Sequence, residues 1–288
     1  MTDRTATYEN AKSETDAQSA SQSSGQAATG RLLENACGLV FGVANERSLA
    51  WQIARHLTAQ GAVCGFAHLP GEQMTRRVRQ TVERGGIESP WLHPCDVGSD
   101  KDLDRLFEAA GDHFGQLSFV VHSVAYADRH YLQTGKFTDT PREVFSQALD
   151  ISAYTLIAIA QRARKHMRRG GSIVALSYYG AEKVVPGYNV MGVAKAALEA
   201  ASRYLAAELG PRNIRVNTIS AGPVRTLSAM AVERIEEMFE WVARKAPLKR
   251  NIDPEEVGKA AVYLISNLSS GVTGENLHVD AGYNIIGL

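Results

Sequence analysis

From residue 37 onward, short apolar runs alternate with longer amphipathic or polar stretches. The runs fall at residues 38–43, 62–69, 91–97, 117–125, 171–177, 214–220 and 275–282, and each is predicted to be a strand. Between them, residues 48–60, 72–84, 100–114, 141–167, 187–210 and 228–245 read as helices. Short apolar strands separated by helices belong in a parallel sheet covered on both faces. The predicted fold class is therefore α/β: a doubly wound, Rossmann-type sheet of seven parallel strands in a single domain, residues 31–288. Ligands of such a sheet bind outside the carboxyl ends of its strands.

Residues 1–30 break the pattern. They contain no Val, Ile, Leu, Phe or Trp and are rich in Ser, Thr, Gln and Ala. Such a stretch buries too little apolar area to offset its ordering entropy, so a disordered tail is expected. It has no hydrophobic core of a secretory signal, and no apolar run in the chain is long enough to span a bilayer. Lys and Arg number 31, as do Asp and Glu, and the formal net charge of zero points to neither nucleic acid nor a membrane surface. Cys37, Cys64 and Cys95 form no CxxC pair, so free, mostly buried thiols and a cytoplasmic location are expected. The eight histidines lack metal-ligand spacing, and no metal site is predicted.

Candidate chemistry sits at two places. The first strand–helix turn runs from Gly42 to Ser48, with a glycine able to make a tight turn and a helix N-terminus that offers backbone N–H groups to a pyrophosphate. At the end of the second strand, Leu69 and Pro70 stand where an acidic residue would hold an NAD ribose. The second place follows the strand at 171–177. Tyr188, Met191 and Lys195 fall at i, i+3 and i+7, which places them on one helical face, close to Tyr178 at the strand end. A phenol beside an ammonium is suited to donate a hydrogen bond to a developing oxyanion.

These residues resemble the short-chain dehydrogenase/reductases, and within them the divergent branch of type I enoyl-acyl-carrier-protein reductases. The family's other branch places a Tyr four residues before the Lys and a Ser thirteen before that Tyr; Met191 and Tyr178 occupy those positions here. The pattern Tyr188-x-x-Met191-x-x-x-Lys195, preceded by Ser177-Tyr178-x-Gly180-Ala181-Glu182, is instead that of the enoyl reductases. Further resemblances lie at residues 42–51, at Cys95-Asp96-Val97, at residues 122–127, at residues 150–154 and at residues 220–227. The likeness covers everything beyond the tail.

The resemblance implies a 1,4-reduction of a trans-2-enoyl thioester in fatty-acid elongation, using NADH, with NADPH also open. It implies catalytic roles for Tyr178, Tyr188 and Lys195, and cofactor contacts at Gly42, Ser48, Leu49, Leu69, Asp96, Val97, Ser123, Val124, Lys195, Val224 and Thr226. Ala127, Tyr178 and Tyr188 would line the substrate pocket. A homotetramer acting on an acyl carrier protein's thioester is implied as well. The segment at 228–245 would form a flap, with Met230, Val232, Ile235, Met238, Phe239 and Val242 inward and Glu233, Glu236, Glu237 and Glu240 outward. Positive contacts for the acidic carrier would come from Arg162, Arg164, Lys165, Arg168, Arg169, Arg225, Lys245, Lys249 and Arg250. His122 reads as a satisfied core histidine, Met191 as pocket wall or core, and Asp96 alternatively as a helix cap. The alternatives are a related reductase acting on another enone, carbonyl or imine, and a nucleotide-binding scaffold without turnover.

Overall fold

A computed structural model describes residues 31–226, 229–231 and 235–287; the expected tail at 1–30 lies outside the described residues. The strands are β1 (Cys37–Phe41), β2 (Val63–His68), β3 (Leu92–Pro94), β4 (Phe119–His122), β5 (Gly171–Ser177), β6 (Ile214–Ala221) and β7 (Asn276–Val279). They form one sheet in the order β3-β2-β1-β4-β5-β6-β7, and every pairing is parallel. The chain winds from β1 outward to β3, then returns to pair β4 against the free side of β1. The switch point therefore lies between β1 and β4, and all carboxyl ends share one edge.

Helices α1 (Leu49–Ala59), α2 (Glu72–Arg84) and α8 (Pro254–Ile265) cover one face, while α3 (Asp100–Phe114), α5 (Thr155–His166) and α6 (Asn189–Leu209) cover the other. Strand alternation feeds the two cores. Val40 packs with Ile53, Leu57 and Phe66 on the first face, whereas its neighbours Leu39 and Phe41 pack with Leu106, Leu156 and Ile159 on the second. Continuous burial of β1 and β5 is the signature that made these strands readable as apolar runs.

Four expectations change. The helix expected over 141–167 is two helices, α4 (Arg142–Leu149) and α5, joined by a π-helical turn, Asp150–Tyr154. The extra residue in that turn interrupts the helical period near the carboxyl end of β4. Helix α8 was not anticipated, although Asp253-Pro254-Glu255-Glu256 forms a capping box with proline in the first turn. In the flap, α7 (Ile235–Lys245) buries Ile235, Phe239 and Val242, but Met230 is half exposed. Val232 and Glu233 lie outside the described residues. Finally, Asp96 does not cap α3: Ser99 does, accepting the Asp102 N–H at 3.3 Å, while Asp96 accepts the Gly98 N–H at 3.0 Å in its own turn.

The three cysteines are free, with Cys64 and Cys95 buried. Among the described residues no helix is long and apolar enough to cross a membrane.

Candidate active site

The switch point is built by backbone contact. Gly42 follows β1 with φ of +97°, and a Cβ there would stand 2.0 Å from the Ser123 carbonyl oxygen just after β4. Only glycine accepts both the left-handed backbone and that approach. Gly42→Ala should cost about 3 kcal/mol or more through strain and clash. A thermal melt should then show Tm lowered by roughly 6–12 °C. The turn beyond Gly42 is closed by Ser48, whose hydroxyl accepts the Ala44 and Asn45 N–H groups at 3.1 and 3.0 Å. Ser48 also stands at the N-cap of α1, with Leu49 as that helix's first residue.

Across the switch point, β5 delivers Tyr178 and α6 delivers Lys195. The rings of Tyr178 and Tyr188 meet edge to face, with centroids 4.8 Å apart and planes at 71°. The loop carrying them lies unusually close to α6: a Cβ on Gly180 would fall 2.4 Å from the Tyr188 ring, and one on Gly192 would fall 2.7 Å from the Gly180 carbonyl oxygen. These two glycines of the tyrosine–lysine segment thus set the position of the Tyr188 ring, a role the sequence reading did not assign.

The helix expected from about Gly187 begins at Asn189, so Tyr188 stands just before it. It is the N-cap residue, and Asn189 after it adopts φ of +41°. The Asn189 side-chain amide donates to the carbonyls of Tyr131 and Gln133 at 2.7 and 2.8 Å, which secures this turn. The Tyr188 ring packs on the small cluster of Leu132, Ala148, Val190, Met191 and Ala194, with Ala127 beside it. Met191 is therefore core and carries no polar function. Helix α7 closes the other side: Ile235 and Phe239 pack on Tyr188, and the Tyr178 hydroxyl donates to Met238 Sδ at 2.9 Å.

Burial raises the pKa of both phenols above the ordinary tyrosine value, and Tyr188 is pushed further by Tyr178 and Glu199. Both stay protonated and able to donate. Lys195 is 6% exposed, and its ammonium donates to the Leu176 carbonyl at 2.6 Å. Burial lowers its pKa from 10.5 to about 8, against an opposing pull from Glu199. His122, fully buried at the end of β4, is held at about 3 by burial and then by the Lys195 charge, so it is neutral. The Thr155 hydroxyl donates to the Ile151 carbonyl at 2.7 Å and so accepts from His122 Nε2 at 2.8 Å. His122 Nδ1 is left without a partner, so this histidine is only half satisfied.

The remaining sequence-derived residues line the same sheet edge. Ser123 and Val124 follow β4, Asp96 and Val97 follow β3, and Val224 and Thr226 follow β6. Leu69 follows β2 and is 54% exposed. Val224 is buried, and Thr226 Oγ1 accepts the Ala229 N–H at 3.1 Å. Arg225, exposed, pairs with Glu236 of α7 and lies 4.5 Å from the Phe239 ring centroid.

Known proteins share this fold. Residues 42–284 match the model of a family described as enoyl-(acyl carrier protein) reductase. The chain is 48% identical over 251 residues, 86% of its length and 96% of the relative's, to a protein of Synechocystis sp. named enoyl-[acyl-carrier-protein] reductase [NADH] FabI. It is 47% identical over 254 residues, 88% of its length and 98% of the relative's, to the Staphylococcus aureus protein named enoyl-[acyl-carrier-protein] reductase [NADPH] FabI. The chain belongs to the enoyl-acyl-carrier-protein reductase family. Among solved members, the Bacillus cereus reductase with NADP+ and an indole naphthyridinone superposes with a TM-score of 0.87 at 47% identity, covering 90% of this chain and all of that one. The Anaplasma phagocytophilum member, solved in complex with NAD, gives 0.85 at 46% identity, covering 90% of this chain and 98% of that one. As an enoyl-acyl-carrier-protein reductase, the chain is a nicotinamide-dependent oxidoreductase of fatty-acid synthesis, and both NADH- and NADPH-named relatives stand among those similar to it.

Proposed function

We propose that residues 31–288 reduce the carbon–carbon double bond of trans-2-enoyl thioesters carried by an acyl carrier protein, with Tyr188, Tyr178 and Lys195 as the catalytic residues. One observation carries the assignment: a protonated phenol pair shares the β5–α6 junction with a buried lysine whose ammonium has, among the described residues, a single protein acceptor, Leu176 O. The residues present fit a dinucleotide. The Gly42–Ser123 contact opens the switch point without side-chain bulk, and Lys195 keeps N–H donors for ribose hydroxyls. A bound reduced nicotinamide supplies a hydride to the substrate β-carbon.

The chain's own residues do the rest. Tyr188 donates a hydrogen bond to the thioester oxygen, where negative charge gathers as the enolate forms. The buried setting makes that donor worth more than in water. Tyr178 lines the acyl pocket and supports the Tyr188 ring, and Ala127 borders it. Lys195 orients the cofactor ribose and supplies positive potential to the developing charge. Gly42, Ser48, Leu49, Leu69, Asp96, Val97, Ser123, Val124, Val224 and Thr226 form the cofactor cleft along the sheet edge. The working unit is a cytoplasmic homotetramer.

Carrier docking must use fewer cations than the sequence suggests. Arg162 is 8% exposed and spends its guanidinium on Asp104 and Asp100 at 2.7 and 3.0 Å. Arg164, Arg225 and Arg250 are paired with Glu208, Glu236 and Glu256.

The test is oxidation of NADH or NADPH by purified protein, followed by near-ultraviolet absorbance with crotonyl-CoA and with a crotonyl-carrier protein. Turnover that requires the enoyl thioester, and is faster on the carrier, is the expected result. Cofactor binding with no thioester-dependent oxidation would overturn the reading.

A further inference from the structure

Lys195 has a buried acidic neighbour one helical turn on, and nothing in the reaction described above uses it. Glu199 is 5% exposed, and its Oε1 accepts the Ser177 hydroxyl at 2.5 Å. Ser177 directly follows Leu176, whose carbonyl holds the Lys195 ammonium at 2.6 Å. Two consecutive residues at the end of β5 therefore grip the i and i+4 side chains of α6, a spacing that puts both on one helical face. A buried carboxyl is costly to retain unless it is bonded and paired.

We propose that Glu199 is a positioning residue for the reduction: anchored by Ser177, its carboxylate keeps the Lys195 ammonium charged and aimed at the cofactor ribose. The inference rests on the assignment of Lys195 to cofactor binding. The surroundings of the pair are defined. Facing Lys195 are Glu199 on α6 and neutral His122 from β4, while the protonated Tyr188 faces Tyr178 and Glu199. Facing Glu199 are Ser177 from β5, Glu182, His278 from β7, and Arg203 on its own helix. His278 in turn bonds Glu182 at 2.7 Å. Burial raises the Glu199 pKa, and the Ser177 bond opposes the rise; Glu182 adds to it, while His278 and Arg203 oppose it. Coupling is mutual, so the ammonium that Glu199 stabilises also stabilises the carboxylate. Without Glu199, only the opposing effect of burial would act on Lys195.

The decisive variant is Glu199→Gln, which retains an acceptor for Ser177 and removes the charge. NADH affinity, read by nicotinamide fluorescence, and kcat/KM are each measured across neutral and alkaline pH. Removing an opposite charge from a buried ammonium lowers its pKa, so the alkaline midpoint should fall by about one unit in both readouts. Glu199→Asp should restore part of that fall. Ser177→Ala, which frees the carboxyl to protonate, should shift the midpoint the same way by less, and it serves if Glu199→Gln does not fold. A midpoint that stays in place in every variant that folds, with any loss uniform in pH, would overturn the inference. Lys195→Met is titrated alongside. If it binds NADH as the unmodified chain does, the assignment of Lys195 fails; if only the Glu199 variants leave the midpoint unmoved, the role of Glu199 alone fails.

Discussion

Tyr188→Phe should lower kcat by about 10²–10³ while leaving the fold and cofactor affinity unchanged. One preorganised hydrogen-bond donor to a developing oxyanion is worth roughly 3–4 kcal/mol, which is that factor in rate. Phenylalanine keeps the ring, so the edge-to-face contact with Tyr178 and the packing on Val190, Met191 and Ala194 survive. Ile235 and Phe239 of the flap pack on the same ring. Only the hydroxyl is lost. Single-turnover measurements on a crotonyl thioester, with circular dichroism and cofactor titration as controls, separate the two kinds of loss. Because burial holds the phenol well above its ordinary pKa, Tyr188 remains a donor throughout the working range, and no alkaline limb should originate from it. Retention of full activity would remove Tyr188 from the chemistry.

Lys195→Met should inactivate the enzyme and yet make the empty protein more stable near neutral pH. Burial brings the ammonium from 10.5 down to about 8, so keeping it charged below that value costs on the order of 3 kcal/mol. A methionine of similar length fills the same space without the charge. The sign follows from the lowered pKa. The penalty is fully present below about pH 8 and relaxes as pH rises toward 10.5, where lysine is neutral in both the folded and unfolded chain. Methionine's advantage in Tm should therefore shrink over that window. Function moves the opposite way. Two charge-assisted hydrogen bonds to ribose hydroxyls, at about 1.5 kcal/mol or more each, amount to roughly a hundredfold in NADH affinity. Differential scanning calorimetry across that window and fluorescence titration of NADH test the two halves. A variant that is both less stable and equally tight for NADH would contradict the account.

This opposition explains why a lysine stands in an apolar setting at all. Among the described residues the Leu176 carbonyl is its only protein acceptor, and the acidic neighbour on α6 offsets part of the burial. In the proposed role of Lys195, stability is given up where the reaction needs positive charge.

Strand positions were legible because a parallel strand covered on both faces must be apolar along its length. β1, β2, β5 and β6 announced themselves in this way, and their order along one sheet edge follows from the connections. The tyrosine–lysine spacing was legible for a related reason: residues close in sequence around a strand end and a helix start must be close in space. That is why Tyr178, Tyr188 and Lys195 could be gathered before any coordinates. Composition likewise read the three cysteines as free thiols, as the structure has them.

What periodicity missed depends on contacts between distant segments. Tyr188 caps α6 instead of entering it, and Asn189 after it bonds carbonyls 56 and 58 residues away. Arg162 looks like surface charge until Asp100 and Asp104 of α3 close on it. His122 looks satisfied until Thr155, in a helix that starts after a π turn, claims one nitrogen and leaves the other bare. Glu199 reads as an ordinary polar helix position until the sheet buries it beside Ser177. Local sequence records which side chains are apolar and how they repeat. The electrostatic character of a buried polar group is set by which remote groups packing brings to it, and the repeat carries no trace of them.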